Sequence, residues 1–167
     1  MIRKHHIIAL LILLSPTVLL GQELKPHYNE VSNGYNFWLY SPDNSDLIDG
    51  ETKPLIIFLH GASLRGNDLQ RVRRYGVLHA IQMGLNINTY VLAPQVPSGA
   101  WVPERINNCL DWAIANNPKI DINRIYVIGM SLGGYGTIDY CAVYADRIAA
   151  AMAICGGGNP KNYCKLN

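Results

Sequence analysis

The chain has 167 residues, enough for one domain with a real core and too few for two. Apolar residues make up 49% of it, which sets it apart from disordered and fibrous sequences. The formal charge is +2, and without Arg3 and Lys4 the count is 12 basic against 12 acidic side chains, a balance that does not argue for nucleic acid or an anionic membrane as the main partner.

The N-terminus reads as an export signal over residues 1–21, leaving a single domain over 22–167. Arg3 and Lys4 form a positive start, Ile7 to Leu14 is an unbroken apolar run, and Ser15-Pro16 interrupts it too early for a membrane span. Gly21 suits the last removed position, although Leu19 is not the small residue expected two places earlier. A secreted or periplasmic protein follows as the expectation. Cys109 and Cys141 fall inside predicted helices as small buried thiols, whereas Cys155 and Cys164 bracket a glycine-rich loop that a disulfide could close.

Further along, Tyr28 to Val31 and Tyr35 to Tyr40 are two β-prone runs around Asn33-Gly34, a strong hairpin signal, so an antiparallel hairpin is expected there. Pro54 to His60 is a continuous apolar run without alternation, as in a parallel strand covered on both faces. Residues 69–83 carry Leu69, Val72, Leu78 and Ile81 at roughly helical spacing, with Gly76 as a weak point. Tyr90 to Ala93 is a second buried strand. Pro103 then opens a helix with Ile106, Leu110, Ala113 and Ile114 on one stripe, which stops at Asn116-Asn117-Pro118. Arg124 to Gly129 is a third buried strand, Leu132 to Tyr144 a helix, and Ala149 to Ile154 a fourth strand. Alternation of this kind gives an α/β fold, a mostly parallel sheet with helices on both faces.

The most informative stretch is Gly129-Met130-Ser131-Leu132-Gly133, a G-x-S-x-G set between a buried strand and a helix. That is the context of a nucleophile elbow: small residues two before and two after the serine let strand and helix pass close together, and the turn lifts the hydroxyl above the sheet. Ser131 is therefore the candidate nucleophile. The amide of Leu132 and that of Ala62, in the loop after His60, are the candidate oxyanion donors. His60 itself is read as fixing its loop rather than as a base. Trp101, beyond the second parallel strand on the ligand-binding side of such sheets, is a candidate for lining a substrate pocket, with packing as the plainer alternative. Arg71, Arg73 and Arg74 are read as a solvated helix face. No Cys/His spacing suits a metal, and Gly129 to Gly136 fails both the G-x-G-x-x-G spacing and the P-loop lysine, so no cofactor is expected.

The phrases PLIIFLHGASLRGND, VLAPQ, DINRIYVIGMSLGGYGTIDY and IAAAMAICGGGNP resemble the secreted bacterial esterases and predicted peptidases of the α/β-hydrolase superfamily, including polyhydroxybutyrate-depolymerase-like and feruloyl-esterase-like proteins. The resemblance covers roughly residues 30–160. It implies a Ser-His-Asp hydrolase acting on carboxylic esters, small or attached to plant polysaccharide, through an acyl-enzyme on Ser131. Ser63-Leu64 departs from the Gly-Glu often found there in relatives. The triad of this fold runs Ser, then acid, then His along the chain, yet no histidine follows Ser131 here. The sequence is thus expected to lack its last strands, on the order of 60 to 90 residues, and to be inactive alone. A prolyl-oligopeptidase-type peptidase and a non-catalytic pseudo-hydrolase that binds without turnover remain the alternatives.

Overall fold

A computed structural model describes residues 21–159. The expected export signal over residues 1–21 lies, but for Gly21, outside these residues, as does Cys164 and with it any Cys155–Cys164 bridge. Among the described residues no helix is long and apolar enough to cross a membrane.

Six strands form one sheet: β1 (Glu23–His27), β2 (Asn36–Ser41), β3 (Lys53–Leu59), β4 (Tyr90–Gln95), β5 (Ile120–Met130) and β6 (Ala150–Ile154). Three α-helices join them, α1 (Val77–Gln82), α2 (Pro103–Asn116) and α3 (Leu132–Tyr144). The spatial order is β1-β2-β4-β3-β5-β6, with β1 and β2 antiparallel and β4, β3, β5 and β6 mutually parallel. From β3 the chain first moves outward to β4 and later returns to β5 on the other side of β3. The carboxyl ends of β3 and β5 therefore flank the point where strand order reverses, the place at which open α/β sheets bind ligands.

The apolar run of β3 is buried because both of its faces are used. Leu55, Ile57 and Leu59 pack with Leu92, Ile125 and Val127 under the α2 stripe of Ile106, Cys109, Leu110 and Ala113. On the opposite face Phe58 joins Trp38, Tyr40, Val91 and Ala93 beneath Leu69, Val72 and Leu78. α2 starts with proline at its first turn and ends beside Asn117, as the sequence predicts. Cys109 and Cys141 are free and buried, and burial pushes both thiols up to about 11.

Two expectations are corrected. The hairpin exists, but its first strand is Glu23–His27 rather than Tyr28 to Val31. Asn33, at φ 52°, makes a local turn in which Gly34 N–H donates to Val31 O at 3.0 Å, and α2 captures that turn: Arg105 Nε donates to Gly34 O and Asn108 Nδ2 to Asn33 O, each at 3.0 Å. The dipeptide thus folds the connection onto a helix instead of tipping the hairpin. Residues 69–83, read as one helix, are a 3-10 turn (Leu69–Arg73) followed by α1. The break is at Gly76, whose φ of +78° and 2.1 Å approach of a would-be Cβ to the Phe58 ring admit glycine only.

β6 forms at the expected place, with every residue exposed and Met152 and Ile154 57% and 40% accessible. Among the described residues it is one of the two edges of the sheet, β1 being the other. α3 covers one face of it. On the other, Ile56, Tyr126, Ile128 and Met152 line a shallow apolar depression.

Candidate active site

Ser131 sits at the junction of β5 and α3 with φ 55° and ψ −115°, a conformation L-residues seldom adopt. Holding a non-glycine residue there costs of order 1–3 kcal/mol, so the surroundings must impose it. They do so from three sides. Ser131 N–H donates to Ile154 O at the end of β6 at 2.8 Å, and Tyr135 N–H returns to Ser131 O at 3.1 Å. A Cβ on Gly129 would lie 2.0 Å from Gly133 O, and one on Gly133 only 1.8 Å from Leu59 O. Both glycines of the motif are thus required by close approach, the first between strand and helix, the second between α3 and the end of β3. Although Ser131 occupies the N-cap of α3, its side chain makes no capping bond, and the residue is exposed. The hydroxyl is free at the positive end of a thirteen-residue helix.

The loop after β3 closes on this corner. A Cβ on Gly61 would lie 3.5 Å from Ser131 Cβ and 3.3 Å from Met130 O. Ala62 begins a 3-10 turn (Ala62–Leu64) and Leu132 begins α3, and the first N–H groups of a helix have no carbonyl of a preceding turn to reach. Ser131, Leu132 and the Ala62 loop are therefore brought together at the carboxyl ends of β5 and β3.

His60 is fully buried and its ring nitrogens are both occupied. Nδ1 lies 2.7 Å from Gly61 O, and Nε2 accepts from Val96 N–H at 3.2 Å, which fixes the tautomer with the proton on Nδ1. Burial, aided by the nearby Arg65 and Arg71, brings its pKa down to about 4 against the favourable Gly61 contact. A neutral imidazole so placed holds the loop. Elsewhere, His27 bonds Glu30 at 2.9 Å and His79 is exposed on α1.

Trp101 is 4% exposed. Its indole N–H donates to His60 O at 3.3 Å, its ring stands edge-on to Tyr35 and His60, and it fills the space over Gly136, where a Cβ would lie 2.6 Å from the ring. These contacts make it packing beneath the site; the glycine at 136 is what lets the ring in, and no strand-end argument could reveal that. Arg73 lies over the Trp38 ring at 4.8 Å and bonds Gln70, while Arg71 Nη2 donates to Ser63 O at 2.7 Å. One residue near the corner escapes sequence reasoning altogether. The Tyr75 hydroxyl accepts from Gly61 N–H at 3.0 Å, yet an aromatic residue inside a supposed helix gives no signal of it. Among the described residues no group of three or more His, Cys, Asp or Glu is placed to hold a metal ion.

Sheet, elbow and facing loop define the class: the chain has the α/β-hydrolase fold. The comparisons agree. It is similar to a thermostable esterase of known structure, with 25% identity, 87% of this chain and 44% of that one covered, and a TM-score of 0.62. The S-formylglutathione hydrolase of Staphylococcus aureus shares the fold at 22% identity, covering 88% of this chain and 64% of its own, with a TM-score of 0.59. In sequence, the chain is 28% identical over 125 residues to poly(3-hydroxyalkanoate) depolymerase C of Paucimonas lemoignei, covering 62% of this chain and 28% of that protein. The chain thus spans under half the length of the depolymerase and of the thermostable esterase. No protein-family model matches it.

Proposed function

We propose that this chain carries the nucleophile half of a serine hydrolase that cleaves carboxylic esters. The observation that carries this reading is the free hydroxyl of Ser131 in a strained corner, against which the loop after β3 closes so tightly that a Cβ on Gly61 would lie 3.5 Å from Ser131 Cβ. Ser131 Oγ attacks the ester carbonyl carbon, and a general base takes its proton. The carbonyl oxygen becomes an oxyanion, received by Leu132 N–H and Ala62 N–H. The C–O bond to the alcohol then breaks, the alcohol leaves with the proton, and water hydrolyses the acyl-serine to the acid. His60 does not serve as the base, since both its nitrogens are engaged, Nδ1 by Gly61 O and Nε2 by Val96 N–H. The positive start and apolar run at residues 1–21 support export to the periplasm or beyond, and the depolymerase likeness favours an ester substrate, monomeric or polymeric.

The test uses the full-length protein against p-nitrophenyl acetate, methyl ferulate and a peptide p-nitroanilide. Turnover of the esters that disappears in Ser131→Ala is expected. Faster cleavage of the anilide would favour the peptidase alternative, and ester turnover surviving Ser131→Ala would overturn the assignment.

A further inference from the structure

Resting on that reading, we infer that Tyr75 is a positioning residue of the oxyanion loop, its hydroxyl setting the Gly61–Ser63 backbone against Ser131. The Gly61–Ala62 peptide is planar and trans, so fixing its carbonyl fixes the direction of the Ala62 N–H on the opposite side. That carbonyl is held by His60 Nδ1–H at 2.7 Å and Leu64 N–H at 3.1 Å. These bonds constrain the peptide's rotation, but the segment could still slide toward or away from the serine. Tyr75 supplies the missing restraint. Its oxygen accepts from Gly61 N–H at 3.0 Å and lies 3.3 Å from Ser63 Oγ, so one hydroxyl contacts both ends of the three-residue segment.

The tyrosine is itself placed by constraint. It leads into Gly76, whose positive φ and contact with the Phe58 ring turn the chain there, and its body packs against the core cluster under β2 and β4. A Cβ at Gly61 would lie 2.9 Å from the tyrosine oxygen and 3.5 Å from Ser131 Cβ, so the hydroxyl and the nucleophile approach Gly61 from the same side. With Gly61 N–H occupying a lone pair, the phenol retains its own proton, which can turn to Ser63 Oγ. A tyrosine that merely filled space would need none of these bonds.

Tyr75→Phe removes the oxygen and keeps the ring. In the full-length protein kcat for p-nitrophenyl acetate should fall about tenfold, toward the hundredfold that a misplacement of about 1 Å can cost, with KM unchanged. Inhibition by a trifluoromethyl ketone, which forms a hemiketal oxyanion on the serine, should weaken by the same factor. Tyr75→His, which can restore an acceptor, should recover part of both. Wild-type kcat and inhibition in Tyr75→Phe would overturn the inference, as would a loss confined to KM. Ser131→Ala run alongside separates the two readings: if that variant keeps its activity, the site itself is wrong; if only Tyr75→Phe is silent, the site stands and the positioning role falls.

Discussion

Replacing Ser131 by glycine should make the protein more stable, and replacing it by alanine should not. At an ordinary position glycine is the poorer choice by about 0.4–1 kcal/mol, because it enlarges the unfolded ensemble. At φ 55° and ψ −115° the native state of any residue with a Cβ bears a strain of order 1–3 kcal/mol, which glycine escapes. Ser131→Ala keeps the Cβ and hence the strain, and because the hydroxyl makes no capping bond its removal costs little. The difference between the two variants should favour Ser131→Gly by about 0.5–2 kcal/mol. With a urea m-value of about 2 kcal/mol per molar, that is a midpoint higher by about 0.3–1 M, measured with both variants in one buffer. Both should be inactive. A midpoint for Ser131→Gly at or below that of Ser131→Ala would mean the corner is not strained, and the argument that packing lifts this hydroxyl would fail.

The remaining expectations follow from specific contacts. Gly133→Ala drives a methyl to 1.8 Å from Leu59 O, against backbone that cannot swing aside, and should cost about 3 kcal/mol in urea denaturation and abolish ester hydrolysis. His60 binds its proton with a pKa near 4 when folded and near 6.5 when unfolded. Between these values the unfolded chain holds the extra proton, so wild-type stability should fall as pH drops from 6.5 to 4, by up to about 3 kcal/mol. Stability curves of His60→Gln should be flatter by about one proton over that window; equal slopes would refute the neutral buried ring. The 167-residue chain alone should show no p-nitrophenyl acetate turnover above background, since among the described residues both His60 nitrogens are engaged, His27 bonds Glu30 and His79 lies exposed on α1. The same chain should self-associate through β6, and Met152→Lys should shift its sedimentation toward monomer, because a charge on an exposed edge blocks strand pairing.

Much of the architecture was legible because the signals were local. The unalternating run of β3, Pro103 at the head of α2 and the glycines around Ser131 each state a physical requirement within a few residues. Where reading failed, the deciding partner was distant in sequence. Arg105 and Asn108, more than seventy residues on, turned Asn33-Gly34 from a hairpin tip into a helix contact. Phe58 decided that residues 69–83 could not run as one helix, since its ring occupies the space beside Gly76. Of the two readings open for Trp101, packing is the one its buried slot over Gly136 fits, and no local signal could have chosen it. Tyr75 could not be found at all, for its role depends on a hydrogen bond to a backbone amide fourteen residues earlier.

The most direct trial of the whole account is chemical labelling of the full-length protein with a fluorophosphonate, followed by peptide mapping in a mass spectrometer. The strained-corner account predicts one phosphonyl group, on Ser131, and none in Ser131→Ala. An unmodified protein, or a label carried by some other side chain, would contradict it.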